Sequence, residues 1–308
     1  MVQRRKKHDS IHVNLNSEHN SGAHHNKNNS SLKHKFYSNK ILRNIIIAVI
    51  GIAIIIPVVQ WIRWEQTVSN LRNKQEQLVS RFDFNPGNII SDSQFFDDNA
   101  MSKDEVRNFI RKKGAKCTGK NCLKNAYFNT HTIPADSLCS KYQSVSKESS
   151  ADIIYKSAKA CHISQRVLLT MLQKEQHLVT DTDPSGFQYK SAMGLDCPDD
   201  SHCNPRFAGF FKQVIGSARR YRYYLLHNDQ YNYHPNTINT IQYSPNKSCG
   251  SSNVYIENKA TALLYIYTPY QPNIESLKAG YGEGNSCSAY GNRNFSLIYS
   301  AWFGDPRK

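Results

Sequence analysis

Val167-Leu168-Leu169-Thr170-Met171-Leu172-Gln173-Lys174-Glu175-Gln176 is the stretch from which the fold is read. Leu168, Met171 and Leu172 fall at i, i+3 and i+4, the spacing that lines one face of a helix, and Glu175 follows at i+7 on that face. A carboxylate in line with a core-facing stripe is unfavourable unless it has a partner or a task. Three readings follow. Glu175 lies at a frayed helix end with its head in solvent, closes a structural ion pair with Lys174, Arg166 or another cation, or works as a general acid.

Outward from this helix, which Ser164 opens, the signals stay helical. Upstream, Ser102-Lys-Asp-Glu105 forms a capping box with Met101 and Val106 as a hydrophobic staple, so a helix is expected over Lys103 to Lys113, ending at Gly114. A second is expected from about Ser149 to Cys161. Downstream, Phe210, Phe211, Val214, Ala218 and Tyr221 give the core face of a long helix from about Phe207 to Leu226. Between Asn236 and Ile256 short alternating runs around Pro245 and Gly250 read as a hairpin. Helical spacing returns at Glu257 to Tyr267 and at Phe295 to Phe303. The expectation is a mainly α (α+β) domain over residues 90–308 with one small β-hairpin and no internal repeat.

The N-terminal part has a different texture. Residues 1–43 are rich in Asn, Ser and His, hold six of the 12 histidines, and lack the apolar content needed to offset ordering entropy, so a disordered tail is expected. His24-His25 there has no ligand spacing typical of a zinc site. Residues 44–62 include IIIAVIGIAIIIPVVQWI, an uncharged run from Ile45 to Ile62 just long enough to cross a bilayer as a helix. A cleaved signal peptide fits less well, given the long preceding tail and the absence of a small-x-small site close behind. Nine Lys or Arg against two acids in the tail place it in the cytoplasm, which puts the rest of the chain outside as a single-pass membrane protein. Residues 63–89, with a helix from Glu65 to about Phe82, read as a juxtamembrane stalk.

All eight cysteines lie beyond the span, an even number on the oxidising side. Short loops suggest Cys117 with Cys122 and Cys197 with Cys203, leaving Cys139 with Cys161 and Cys249 with Cys287. The separations do not match metal-binding knuckles, and no metal or cofactor is expected. After residue 43 the chain holds 30 basic and 22 acidic residues, a balance suited to an anionic polymer or surface. Nothing resembles a nucleic-acid module, and an exterior location argues against that partner.

Leu168 to Gln176, LLTMLQKEQ, followed by Ser191-Ala-Met-Gly-Leu195, resembles the goose-type lysozyme and lytic transglycosylase superfamily. The stretch from Ile90 to Gly304 is similar to bacterial exported proteins with a lysozyme-like domain, through SDSQFFDDNAMS from 91, VLLTMLQKEQHLVTDT from 167, QYKSAMGLDCPD from 188, KATALLYIYTPYQPN from 259 and YGNRNFSLIYSAWFG from 290. Where that superfamily has Ser after its glutamate and Met-Gln after its Gly-Leu, this chain has Gln176 and Asp196-Cys197.

The resemblance implies a lysozyme-like helical domain acting on peptidoglycan glycan strands, as a lytic transglycosylase or muramidase. Glu175 would be its general acid and base. A hydrolase would need a second acid to position water, with Asp181 preferred over Asp183 and Asp196. Gln176, Gln188, Ser191, Met193 and Gly194 would line the substrate site. Tyr267, then Tyr270, would stand beside the glutamate, with core packing as the competing role. A noncatalytic glycan-binding or adhesion domain on the same fold is the alternative function. A cysteine peptidase or amidase built on Cys161-His162 is a third, disfavoured because disulfide bonding consumes the thiol.

Overall fold

The computed structural model describes residues 31–198 and 203–308. The chain divides into two compact units between Arg63 and Trp64. Helix α1, Ser31–Phe82, runs from the first unit into the second and carries Pro57 without a break. In the first unit its Ile, Val and Trp side chains are exposed, among them Ile47, Ile55 and Trp61. An apolar window of mean hydropathy 2.8 makes this helix long and apolar enough to cross a membrane, a test that a signal sequence also passes. Residues 31–43, expected within the tail, are already helical. The rest of that tail, with His24-His25, lies outside the described residues.

The second unit takes in the end of α1, so the expected stalk is packed rather than free. Val68 and Gln75 are buried. Gln75 accepts from the Tyr255 backbone N–H at 2.9 Å and donates to its carbonyl at 3.2 Å, while the Arg72 guanidinium lies 4.6 Å from the Tyr255 ring centroid. A lone amide side chain thus completes the backbone pairing of an edge residue.

Helix α2, Asp92–Phe95, is capped by Ser91. Helix α3, Lys103–Lys113, has the expected capping box between Ser102 and Glu105 and stops at Gly114. Two short strands missed in the sequence, β1 Tyr127–Phe128 and β2 Glu148–Ser149, pair antiparallel. Helix α4, Ser150–Cys161, follows, capped by the Ser149 hydroxyl. Next come α5, Gln165–Gln176, the short α6, Gly186–Lys190, and α7, Phe210–Leu226. The hairpin is β3 Thr237–Gln242 with β4 Ser251–Ile256, in the register Thr237 to Ile256 through Gln242 to Ser251. Helices α8, Lys259–Tyr267, α9, Ile274–Lys278, and α10, Gly291–Phe303, close the chain. The mainly helical class with small antiparallel sheets is as expected from the sequence.

Helix α5 lies at the centre of the core. Leu168, Met171 and Leu172 are fully buried, and so are Val167, Leu169 and Thr170. The stripe is therefore a helix enclosed on nearly all sides, between α4 and α10. Two of its buried polar side chains find partners: Thr170 donates to the Arg166 carbonyl, and Gln165 accepts from the Met101 N–H and donates to the Asp98 carbonyl. Helix α4 also packs on α7, and α7 on α8. The eight cysteines form the four disulfides suggested by the loops, Cys117–Cys122, Cys139–Cys161, Cys197–Cys203 and Cys249–Cys287.

Candidate functional site

Helix α5 ends at Gln176 because His177 adopts the left-handed conformation, φ 57°, and donates its N–H to the Gln173 carbonyl. The Gln173 side chain then holds the returning chain, accepting from the Thr180 N–H and donating to the Thr180 hydroxyl. This fixed end presents Glu175 with 22% of its side chain exposed, while its neighbour Lys174 is 6% exposed. The Lys174 Nζ lies 2.6 Å from Glu175 Oε1 and donates to Thr268 Oγ1 at 3.2 Å. The ion pair weighed in the sequence as the alternative to a task is therefore present, with Lys174 rather than Arg166. A partly exposed oxygen remains, so pairing and a task are compatible.

The other carboxylate oxygen faces the backbone of Gly194. A Cβ on Gly194 would stand 3.3 Å from Glu175 Oε2, and the residue sits at φ +69°, where only glycine is at ease. The turn that brings it there is pinned by Gln213 of α7. Its Oε1 accepts from the Met193 and Leu195 N–H groups, each at 3.0 Å, and its Nε2 donates to the Leu195 and Phe207 carbonyls. One buried amide side chain thus satisfies four backbone groups. Sequence reading missed it, although a glutamine in register with Phe210, Val214 and Ser217 on a core-facing stripe is the signal to look for.

Tyr267, at the end of α8, donates its hydroxyl to the Met193 carbonyl and stacks on Tyr221 at 5.1 Å between centroids, 24° between planes. Burial, reinforced by the nearby Glu175 charge, pushes the Tyr267 phenol well above the usual tyrosine range. Burial does the same for Tyr221, with Tyr267 and Glu175 adding to it, and its hydroxyl meets Met171 Sδ at 3.5 Å. Both rings stay protonated and serve as donors. The ensemble is a fixed carboxylate with an ammonium on one side and a protonated phenol nearby, able to take a proton from water and return it to a leaving atom.

The remaining sequence-predicted residues occupy the adjoining loop. Gln188 forms a capping box with Ser185 at the start of α6 and donates to the Gln176 carbonyl and to Asp181 Oδ2. Burial works to raise the Asp181 pKa, but the hydrogen bonds from Gln188 and from the Asp183 N–H hold it below the ordinary range. Asp181 is thereby an ionised brace of the loop. Ser191 is buried and donates to the Phe187 carbonyl. Tyr270 is held through its backbone, its carbonyl accepting from Asn292 and its residue bridging to Gln242. Asp196 accepts from Asn204 across the base of the Cys197–Cys203 loop. Cys161 is bonded to Cys139 and His162 turns to Asp98, which removes the Cys-His pair.

Residues 88–308 match the family model described as the LasA N-terminal domain. The family takes its name from LasA, a staphylolytic, cell-wall-degrading protease. No curated protein and no solved structure matches the chain. The match covers the whole stretch on which the likeness to lysozymes and lytic transglycosylases rested, and it overturns that assignment. The expected transglycosylase or muramidase cutting glycan strands, with its glycan-binding alternative, is withdrawn. A helix of core-facing leucines ending in a glutamate is too common a pattern to outweigh a match of that length.

Proposed function

The chain belongs to the LasA N-terminal domain family, and on that premise we propose that it is an exported peptidase acting on the peptide part of peptidoglycan. The observation that carries the reading to particular residues is the Lys174–Glu175 pair, a carboxylate held against Gly194 at the rim of the core. In the proposed reaction Glu175 accepts a proton from water as the water oxygen bonds to the amide carbonyl carbon. It then gives that proton to the amine nitrogen as the C–N bond breaks. Lys174 positions the carboxylate and places positive charge beside the site. Gly194 leaves room for an extended backbone. Every step is assigned to the chain's own groups.

The proposed location is the outer face of a membrane, with the apolar part of α1 as a signal anchor and the basic tail inside. The uncharged helix, the charge of the tail and four disulfides on the far side all favour it.

The test uses the full chain in detergent on purified peptidoglycan, with new amino groups and new reducing sugar ends counted separately. Amino groups should appear without reducing ends, and Glu175→Gln should lower their release by at least about a hundredfold while the protein stays folded. Reducing ends without amino groups, or full activity in Glu175→Gln, would defeat the proposal.

A further inference from the structure

On the far side of the Gly194 turn lies a cleft of about 640 Å³, lined from α7, from the segment before it and from the loop that holds His131 and Ile133. Its floor is apolar, with Ile133, Leu138, Phe211 and Ile215. Four cations stand around it: Arg206, Lys212, Arg219 and Arg220. Arg219 is committed in part, since it clamps Asp136 and holds that carboxyl down to about 2. Lys212 donates to the Pro205 carbonyl, Arg206 lies over the Phe207 ring at 5.6 Å, and both residues are exposed.

The chemistry of this lining is one-sided. Among the described residues that form it there is no carboxylate, no side-chain amide and no aliphatic hydroxyl. Sugar hydroxyls are both donors and acceptors, and the lining side chains offer them only the Tyr223 hydroxyl and the His131 ring as acceptors against four cationic donors. A bare phosphate would use the cations but leave the apolar floor uncovered. A short peptide bearing carboxylates suits both, with its acidic groups on guanidinium forks and its small side chains on the floor. The volume is that of a small-ligand site, enough for a few residues.

The cleft also adjoins the carboxylate site. Gly216 lines it, and a Cβ there would stand 2.7 Å from Leu195 Cδ2, next in sequence to the Gly194 that touches Glu175. Arg220 is near enough for its charge to act on the Tyr267 phenol. We infer that this cleft is a recognition site for an acidic peptide, holding the carboxylate-bearing stem of the wall polymer beside Glu175. The inference deepens the proposed function and rests on it for the source of the peptide, not for the binding itself.

The probe is the peptide acetyl-Ala-Glu-Ala-Ala with a free C-terminus, titrated calorimetrically against the full chain in detergent. Its Gln, C-terminal-amide counterpart and inorganic phosphate are the comparison arms. The acidic peptide should bind at least tenfold more tightly than either, the binding should weaken as salt is raised, and the double variant Arg206→Gln/Arg220→Gln should weaken it tenfold or more. Equal binding of the amidated peptide, binding of phosphate as tight as that of the peptide, or no effect of the double variant would overturn the assignment. Glu175→Gln should leave peptide binding unchanged. Failure of wall cleavage with this binding intact therefore defeats the proposed function alone, and loss of binding with cleavage intact defeats the cleft alone.

Discussion

A single methyl group added at Gly194 tests how tightly Glu175 is held. At φ +69° an alanine is strained by about 1 kcal/mol, and its Cβ would press on Glu175 Oε2 from 3.3 Å. Gly194→Ala should therefore lower unfolding free energy by about 1–2 kcal/mol in denaturant titration and reduce wall cleavage far more than that loss of stability explains. Unchanged cleavage would mean that the glycine serves the turn alone. At this scale the sequence was informative about position and about a partner next in the chain, and silent about distant partners. Spacing placed Glu175 on the core-facing side of α5, and Lys174 was among its candidate partners. Gln213 escaped notice because its role is set by four backbone groups on a distant turn, which no local pattern encodes.

Among the elements, the end of α4 offers the sharpest pH dependence. Asp98, in the loop before α3, receives Lys159 Nζ at 2.7 Å and pairs with His162 Nδ1 at 2.5 Å, binding that loop to the last turn of α4. Burial opposes its ionisation, but Lys159 and His162 hold its pKa below the ordinary aspartate value of 3.8. A carboxyl depressed on folding stabilises the protein above its unfolded pKa and loses that contribution as pH falls through the folded value. Asp98→Asn should then cost about 1–2 kcal/mol near pH 7, a figure reduced for the exposure of both partners. That cost should fade as pH drops below 3.8. A deficit constant from pH 7 to pH 2.5 would show that the charge is not what matters. Elements with side-chain caps were legible: Ser102 with Glu105 fixed the start of α3, and Gly114 its end. Helix α10 begins at Gly291, before its apolar spacing does, and has no side-chain cap bond. Its first turn is held by Arg293, buried and donating to the Ser276 and Gly282 carbonyls, a tertiary bond invisible in a local window.

For the molecule as a whole, the cysteine pairing and the apolar run were the most legible features, because each depends on distance along the chain: the short loops that bring paired cysteines together and the length of an uncharged run. The four disulfides also rank the regions by what they contribute. On chain entropy alone, Cys249–Cys287, with a sequence separation of 38, exceeds Cys139–Cys161, with 22, by only about 0.5 kcal/mol. Burial acts the other way. Cys139 and Cys161 both lie in the core, packed where α4 ends, whereas Cys249 and Cys287 are only partly buried. Replacing two core sulfurs by alanine methyls leaves a void that costs about 1–2 kcal/mol, more than the entropy difference. The Cys139→Ala/Cys161→Ala pair should accordingly lose about 5 kcal/mol, the Cys249→Ala/Cys287→Ala pair about 4, and the Cys117→Ala/Cys122→Ala pair, whose sulfurs are also buried, about 3–4. Equilibrium unfolding in guanidinium under identical redox conditions measures the order. If the Cys249–Cys287 double variant proves the least stable, the cross-link entropy outweighs core packing, and α4 is not the element on which the second unit depends.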